Sequence, residues 1–351
     1  MTFASDNWVG ASDPVMAALA EANAGSAPAY GNDTFTGRAN DLLSAFFERD
    51  VAAFFVATGS AANSLAVSTF SRPGGVALCH EDAHLVRDEA GAAGLFGAGL
   101  AIDTVDGPGG RIDQDALQAR LESYREGNVH QGRPVALSLT NVNEFGLCYD
   151  PGTVAALASI AKRRGLAVHL DGARFFNALA HTGSSPAELT WRAGVDAISL
   201  GFTKTGAWCA EVLVFFDMAL REDAAYRQKQ AAQLFSKNRF VAAQVAALLE
   251  GNHALALASH ANTMATEVAD ILAGCEESAL AHRSQSNEVF AYLSASAARK
   301  LAAAKITAHP WSVRSAHAPK PPQEGWTLHR LVASYRTSPD DVQALRQALA
   351  D

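Results

Sequence analysis

Two short apolar runs, each ending in one chemically useful side chain set among small residues, constrain this chain more than any other feature. The first, Leu166-Ala167-Val168-His169-Leu170, reads as a buried strand and ends in Asp171-Gly172-Ala173-Arg174. The second, Val195-Asp196-Ala197-Ile198-Ser199-Leu200, reads the same way and ends in Gly201-Phe202-Thr203-Lys204-Thr205-Gly206. Open α/β sheets bind ligands in the crevice beyond the carboxyl ends of their strands. A carboxylate at one strand end and a lysine just past the next therefore face one crevice.

Pyridoxal phosphate needs such a pair. Its ring nitrogen must stay protonated to draw electrons from a carbanion, and its aldehyde must be held by a lysine in exchangeable form. Asp171 suits the pyridinium nitrogen and Lys204 the Schiff base, while Arg174 is spaced to reach the ring hydroxyl oxygen. Taken alone, the stretch fits a capping Asp and a surface Lys in a Gly-rich loop equally well, because Asp-Gly turns are common.

The rest of the chain narrows the classes. Its 351 residues suffice for a large core and a smaller second domain. A net charge of −8 without a basic block argues against nucleic acid as a partner. No unbroken apolar run approaches the ~20 residues that span a bilayer, so no membrane partner is expected. The first residues lack the basic and apolar segments of a signal peptide. Cys79, Cys148, Cys209 and Cys275 are far apart, without metal-ligand spacing. A soluble cytoplasmic protein with reduced thiols is expected.

In chain order, Ser12-Asp13-Pro14 starts a helix that ends near Gly25. Tyr30-Gly31-Asn32-Asp33 is a polar turn, and the spacing of Leu42, Leu43, Phe46 and Phe47 predicts a helix from about Arg38 to Arg49. The strand Val51 to Val56 runs into Thr58-Gly59-Ser60-Ala61-Ala62-Asn63, where small residues let amides at a helix start close on a phosphate. Strands are predicted at 76–79, 100–105 and 135–139, the last running into Thr140-Asn141-Val142-Asn143-Glu144. His84 precedes Asp88-Glu89-Ala90-Gly91. Strands alternating with helical patterns predict a mostly parallel, helix-covered sheet. Val212 to Phe216 follows the lysine loop too closely for a crossover helix, so it should run antiparallel. Arg227, Lys229, Lys237 and Arg239 lie on a helical stretch that reads first as a solvated basic face. An alanine-rich helical segment, 241–272, leads out of a large domain expected over residues 1–245. The remainder, 246–351, reads as a small α+β domain with strands at 288–293, near 311–315 and at 327–335, and a helix at 295–304.

Seven motifs in order then coincide: Ser5-Asp6-Asn7, Tyr30-Gly31-Asn32-Asp33, Thr58 to Asn63, His84 with Asp88 to Gly91, Asp171 to Arg174, Thr203 to Gly206, and Arg330-Leu331-Val332. Together they resemble the low-specificity L-threonine aldolases of the β-eliminating-lyase group, over essentially the whole chain. The resemblance implies the aspartate-aminotransferase-like α/β fold (fold type I) with a mostly parallel seven-stranded sheet. It implies a homodimer, or a tetramer of two dimers, with the site at the dimer interface. It implies that Gly59 and Ser60 hold the cofactor phosphate, that His84 stacks on the ring, and that Ser5 and Arg330 hold the substrate carboxylate. Arg336 competes with Arg330, and Lys229 or Lys237 is the candidate to reach a neighbouring subunit's phosphate. The implied reaction is retro-aldol cleavage of L-threonine or L-allo-threonine to glycine and acetaldehyde, with His84, or a water it orients, as base. A phenylserine-preferring aldolase or a β-eliminating amino-acid lyase is the alternative. Asn143 stands where many relatives carry a second histidine, and Thr205 where close relatives often have Asn.

Overall fold

The computed structural model describes residues 3–315, 317 and 320–350. Seven strands form the main sheet: β1 (Ala52–Val56), β2 (Gly75–His80), β3 (Ala101–Val105), β4 (Arg133–Thr140), β5 (Ala167–Gly172), β6 (Ala197–Gly201) and β7 (Glu211–Phe215). Their spatial order is β1-β7-β6-β5-β4-β2-β3. The pairs from β6 through β5, β4 and β2 to β3 are parallel, whereas β7 runs antiparallel to both β6 and β1. Strands β2, β6 and β7 are buried at every residue, which is why they read as unbroken apolar runs rather than alternating ones. The short loop after Lys204 leaves no room for a crossover helix, so β7 turns back as expected.

The second sheet holds β8 (Ser278–Leu280), β9 (Glu288–Leu293), β10 (His309–Pro310) and β11 (Thr327–Val332), antiparallel in the order β10-β11-β9-β8. The strand expected near 311–315 is absent. Pairing stops at Pro310, apart from one further bond from the Trp311 N–H to Leu328 O at 2.8 Å. The amides of Arg314 and Ser315 instead donate to the Asp82 carboxylate at 3.0 and 3.1 Å, which draws the chain across to the main sheet.

The helix expected from Arg38 to Arg49 runs over Thr34–Phe46. Asp33 starts it by accepting the Thr36 N–H at 2.8 Å, a cap that the reading as a plain turn overlooked. The alanine-rich segment is two helices, Arg239–Leu249 and His253–Ala273, parted at Gly251 and Asn252, both in the left-handed region with φ 58°. By length and composition Arg239–Ala273 is apolar enough to cross a membrane, an 18-residue stretch of it reaching a mean hydropathy of 1.3. Here its apolar side fills protein cores: Val241 to Ala258 pack in the main core, Met264 to Leu272 in the core of the small sheet. Phe3, 1% exposed, joins that second core, and its backbone bonds Thr307 and Val332, so the N-terminal arm is tied to the small sheet.

Candidate active site

The carboxyl ends of β1, β4, β5 and β6 open onto a cleft of about 470 Å³, closed on its far side by β9, β11 and the N-terminal arm. Ser5, Gly59, Ser60, His84, Asp171, Arg174, Lys204 and Arg330 all line it, as does Asn143. Lys229 and Lys237 stand outside its wall within the single chain, and the Lys229 ammonium lies 5.7 Å from the centre of the Tyr30 ring. Arg336 also stands outside it, donating to Tyr335 Oη and Ala11 O at 3.0 Å each.

Register places the central pair. Asp171 sits opposite Thr140 on one side and Ser199 on the other, at the last rungs of β5. Its Oδ1 accepts the Ala173 N–H at 3.0 Å and its Oδ2 accepts Asn63 Nδ2–H at 2.8 Å. The ends of β5 and β6 approach so closely that a Cβ on Gly201 would stand 2.6 Å from Ala173 O, which only glycine avoids. Lys204 follows on a single tight turn, Thr203–Thr205, closed by Gly206 at φ 114°. The Arg174 charge and burial both hold the Lys204 ammonium below its ordinary pKa.

The helix Gly59–Thr69 begins at the same cleft. Thr58 caps it, its Oγ1 accepting the Ala61 N–H at 3.1 Å, while no acceptor among the described residues takes the Gly59 and Ser60 amides. A Cβ built on Gly59 would meet nothing within 4 Å. Free first-turn amides over open space are an anion site. Four residues on, Asn63 donates to both Asp171 and Glu89, each at 2.8 Å. Glu89 in turn lies 2.9 Å from His84 Nδ1. The bond to Glu89 raises the His84 pKa, and burial raises that of Glu89. One buried amide thus ties the Asp171 carboxylate to the histidine.

The opposite wall is ionic. Arg174 pairs with Asp6 through two bonds, Nε to Oδ2 at 2.7 Å and Nη2 to Oδ1 at 3.0 Å, and its Nη1 lies 3.3 Å from Glu288 Oε2. Arg330 Nη1 donates to Glu288 Oε1 at 3.2 Å, and its guanidinium carbon sits 4.2 Å over the Trp311 ring. The Nε of Arg330 is buried without a partner among the described residues. Burial alone would raise the Asp6 pKa, but the charges of Arg174 and Lys204 bring it down to about 2. Arg174 is therefore turned with all three nitrogens toward carboxylates.

Asp6, Asn63, Glu89, Glu144 and Glu288 went unassigned in the sequence although three of them lie inside the seven motifs. Their roles arise from pairing across long separations, which spacing does not reveal. The donor set fits pyridoxal phosphate: a helix start for the phosphate, a bonded carboxylate for the ring nitrogen, and a lysine for the aldehyde.

A seven-stranded α/β sheet with a lysine past one strand end and a carboxylate at the next defines the class as fold type I. Residues 2–296 match the family model of the β-eliminating lyases. The chain is 39% identical over 301 residues to the low specificity L-threonine aldolase of Pseudomonas aeruginosa, covering 86% of each chain. It is 24% identical over 297 residues to that of Saccharomyces cerevisiae, covering 84% of this chain and 74% of the other. The solved threonine aldolase of Leishmania major superposes with a TM-score of 0.91 at 25% identity, over 99% of this chain and 98% of that one. A serine palmitoyltransferase of Sphingomonas wittichii, at 17% identity and a TM-score of 0.73 over 99% and 86%, shares the fold. The protein belongs to the β-eliminating lyase family.

Proposed function

We propose that this protein is a pyridoxal-phosphate-dependent aldolase that cleaves β-hydroxy-α-amino acids, L-threonine and L-allo-threonine among them, into glycine and an aldehyde. The observation that carries the reading is one cleft in which Asp171 and Lys204 face Arg330, whose planar fork suits a carboxylate. Similarity to proteins named for that activity supports it.

When bound, the cofactor supplies an electron sink for the pair released as the Cα–Cβ bond opens. Asp171, held by Asn63 and the Ala173 amide, keeps a proton on the ring nitrogen. Lys204, its pKa lowered by Arg174 and burial, would hold the aldehyde. The amides of Gly59 and Ser60 would take the phosphate, and His84 would stack on the ring. Arg330, with Ser5, would grip the substrate carboxylate through its planar fork and so fix the substrate's orientation. We further propose that two copies complete the site as a dimer, with Lys229 or Lys237 reaching the neighbour's phosphate, and that the protein is cytoplasmic.

Incubation of the holoenzyme with L-threonine and with L-allo-threonine is expected to give equal amounts of glycine and acetaldehyde. Release of ammonia and a 2-oxo acid instead would make it an eliminating lyase. Much faster turnover of phenylserine than of threonine would make it an aryl-preferring aldolase.

A further inference from the structure

Retro-aldol cleavage needs a group that removes the proton of the substrate β-hydroxyl. Asn143, three residues past the end of β4, has no spare capacity for this. Its Nδ2 donates to Gly109 O at 2.9 Å, and its Oδ1 accepts the Phe145 and Leu147 amides at 3.0 Å each. The side chain pins the loop and nothing more.

The next residue is different. Glu144 lines the cleft, and the residue is partly exposed while its carboxyl is enclosed. One oxygen, Oε1, accepts the backbone N–H of His84 at 2.7 Å. The other, Oε2, is shut off from solvent and has no partner among the described residues. An orphaned carboxyl oxygen beside a reaction cleft costs free energy unless something arrives to use it. Of the other carboxylates that line the cleft, Asp88 is exposed and the remaining three are engaged. Asp171 is held by Asn63 and Ala173, Glu211 accepts the Thr203 N–H at 3.3 Å, and Glu288 stands between two arginines.

We propose that Glu144 holds the substrate β-hydroxyl and accepts its proton as the Cα–Cβ bond opens. The proposal rests on the aldolase reading above and names the base within it. In the step, the O–H bond breaks toward Glu144 and its electron pair becomes the second bond of the aldehyde C=O. The Cα–Cβ pair stays with Cα, which afterwards takes a proton from solvent through Lys204 to give glycine. Glu144 returns its proton to solvent. No oxidant or reductant enters.

Electrostatics agree. Burial first, and then the Asp171 charge, push the Glu144 pKa up to about 8, against the pull of the His84 N–H and ring. Cys79 and Tyr149 also face this carboxyl; burial first raises the pKa of both, and the Glu144 charge adds to it. A base with a pKa near the working pH is far more effective than an ordinary carboxylate. His84 is the competitor, but its Nδ1 is spent on Glu89, and that bond favours the charged ring, which donates rather than accepts.

Glu144→Gln tests the assignment, because an amide oxygen still accepts the His84 N–H and only the titrating proton is lost. With the holoenzyme, kcat for threonine should fall by roughly 10²–10⁴-fold, the usual range for a lost proton acceptor. Cofactor absorbance and exchange of the glycine α-proton should stay near parental, since that exchange involves no hydroxyl. Parental turnover should rise with pH through about 8, and the variant should lose that limb. Substrate-free holoenzyme should show an infrared carboxyl band that titrates near the same pH and is missing in the variant. Near-parental cleavage by Glu144→Gln, a retained limb, an equal loss of glycine exchange or the absence of that band in the parent would each overturn the proposal. If Glu144→Gln does not fold, Glu144→Asp decides, since it should keep the limb at reduced kcat, and its loss would count against the assignment. Failure of the aldolase reading is separate, because there the parent itself yields no glycine and aldehyde.

Discussion

The two walls of the cleft treat carboxyl groups in opposite ways. On the main-sheet wall Glu89, Glu144 and Glu211 are buried away from cationic partners strong enough to offset it. Burial lifts all three, Glu144 to about 8 and Glu211 to about 7. On the small-sheet wall Asp6 is as deeply buried, yet the charges of Arg174 and Lys204 take it to about 2. Burial is common to both walls, so the difference lies in the arginines. One wall stores protons near neutral pH, and the other stores fixed charge against which an anion can be placed. A reaction that moves a proton on a substrate held by its carboxylate uses both.

The comparison breaks most sharply at Lys204, which joins the two walls electrostatically. Lys204→Ala should reduce threonine cleavage by on the order of 10⁴-fold or more, as expected when the covalent group of a cooperating set is removed. Borohydride reduction of the parent holoenzyme followed by peptide mapping should mark Lys204, and a label on another lysine would refute the assignment. Arg330→Ala tests the anion wall. Charged hydrogen bonds contribute roughly 1.5–3 kcal/mol, so affinity for threonine should weaken by about ten- to a hundredfold. Cofactor absorbance should survive. If the cofactor is lost instead, or if threonine binds normally with the cofactor in place, Arg330 does not hold the substrate carboxylate and the division between walls is wrong.

The main-sheet wall was largely legible in the sequence, whereas of the ionic wall only the arginines and Ser5 were, and not the carboxylates that hold them. Asp171, Lys204, Gly59 and Ser60 each follow a short apolar strand, and strand-then-turn patterns are local signals. Even the reversal of β7 followed from one loop length. The ionic wall is assembled from Asp6, Arg174, Glu288 and Arg330, and the bond between Asn287 and Asp6 spans 281 positions. Nothing in the spacing of those residues announces their meeting. Glu144 was hidden for another reason. It stands beside Asn143, the residue to which the motif draws attention, and only the bonds of both side chains show which is spent. The missing strand after Pro310 has the same origin, because the Asp82 carboxylate that captures the Arg314 and Ser315 amides lies 232 and 233 positions away.

His84→Phe asks whether the histidine belongs to the proton-handling wall by chemistry or by shape. Phenylalanine keeps a flat face, and aromatic stacking contributes about 0.5–1.5 kcal/mol. With Glu144 as base, cofactor affinity and cleavage should each change by no more than about tenfold. A spectrophotometric titration with pyridoxal phosphate and a threonine assay check this. A loss as large as that of Glu144→Gln, with the cofactor still bound, would return the base to His84.

The smallest effect concerns Glu211, which sits beneath Lys204 and tests whether its high pKa comes from burial. A carboxyl whose folded pKa exceeds its unfolded value favours the folded state most while it is protonated in both, below about 4.5. Between there and about 7 the unfolded chain ionises while the folded one does not, so stability falls as pH rises through that window. His84, raised as well, adds a loss of the same sign as pH rises, and Lys204, lowered, acts in the opposite sense at more alkaline pH. Comparing Glu211→Gln with the parent isolates the one group, since glutamine can still accept the Thr203 N–H and never ionises. The cofactor-free variant should match the parent near pH 4, and by pH 8 it should be more stable by a kcal/mol or more, about one pH unit's worth of displaced titration. Urea midpoints across the range measure it. Equal midpoints at pH 8 would mean that Lys204 offsets the burial of Glu211, and the storage of protons near neutral pH would then rest on Glu144.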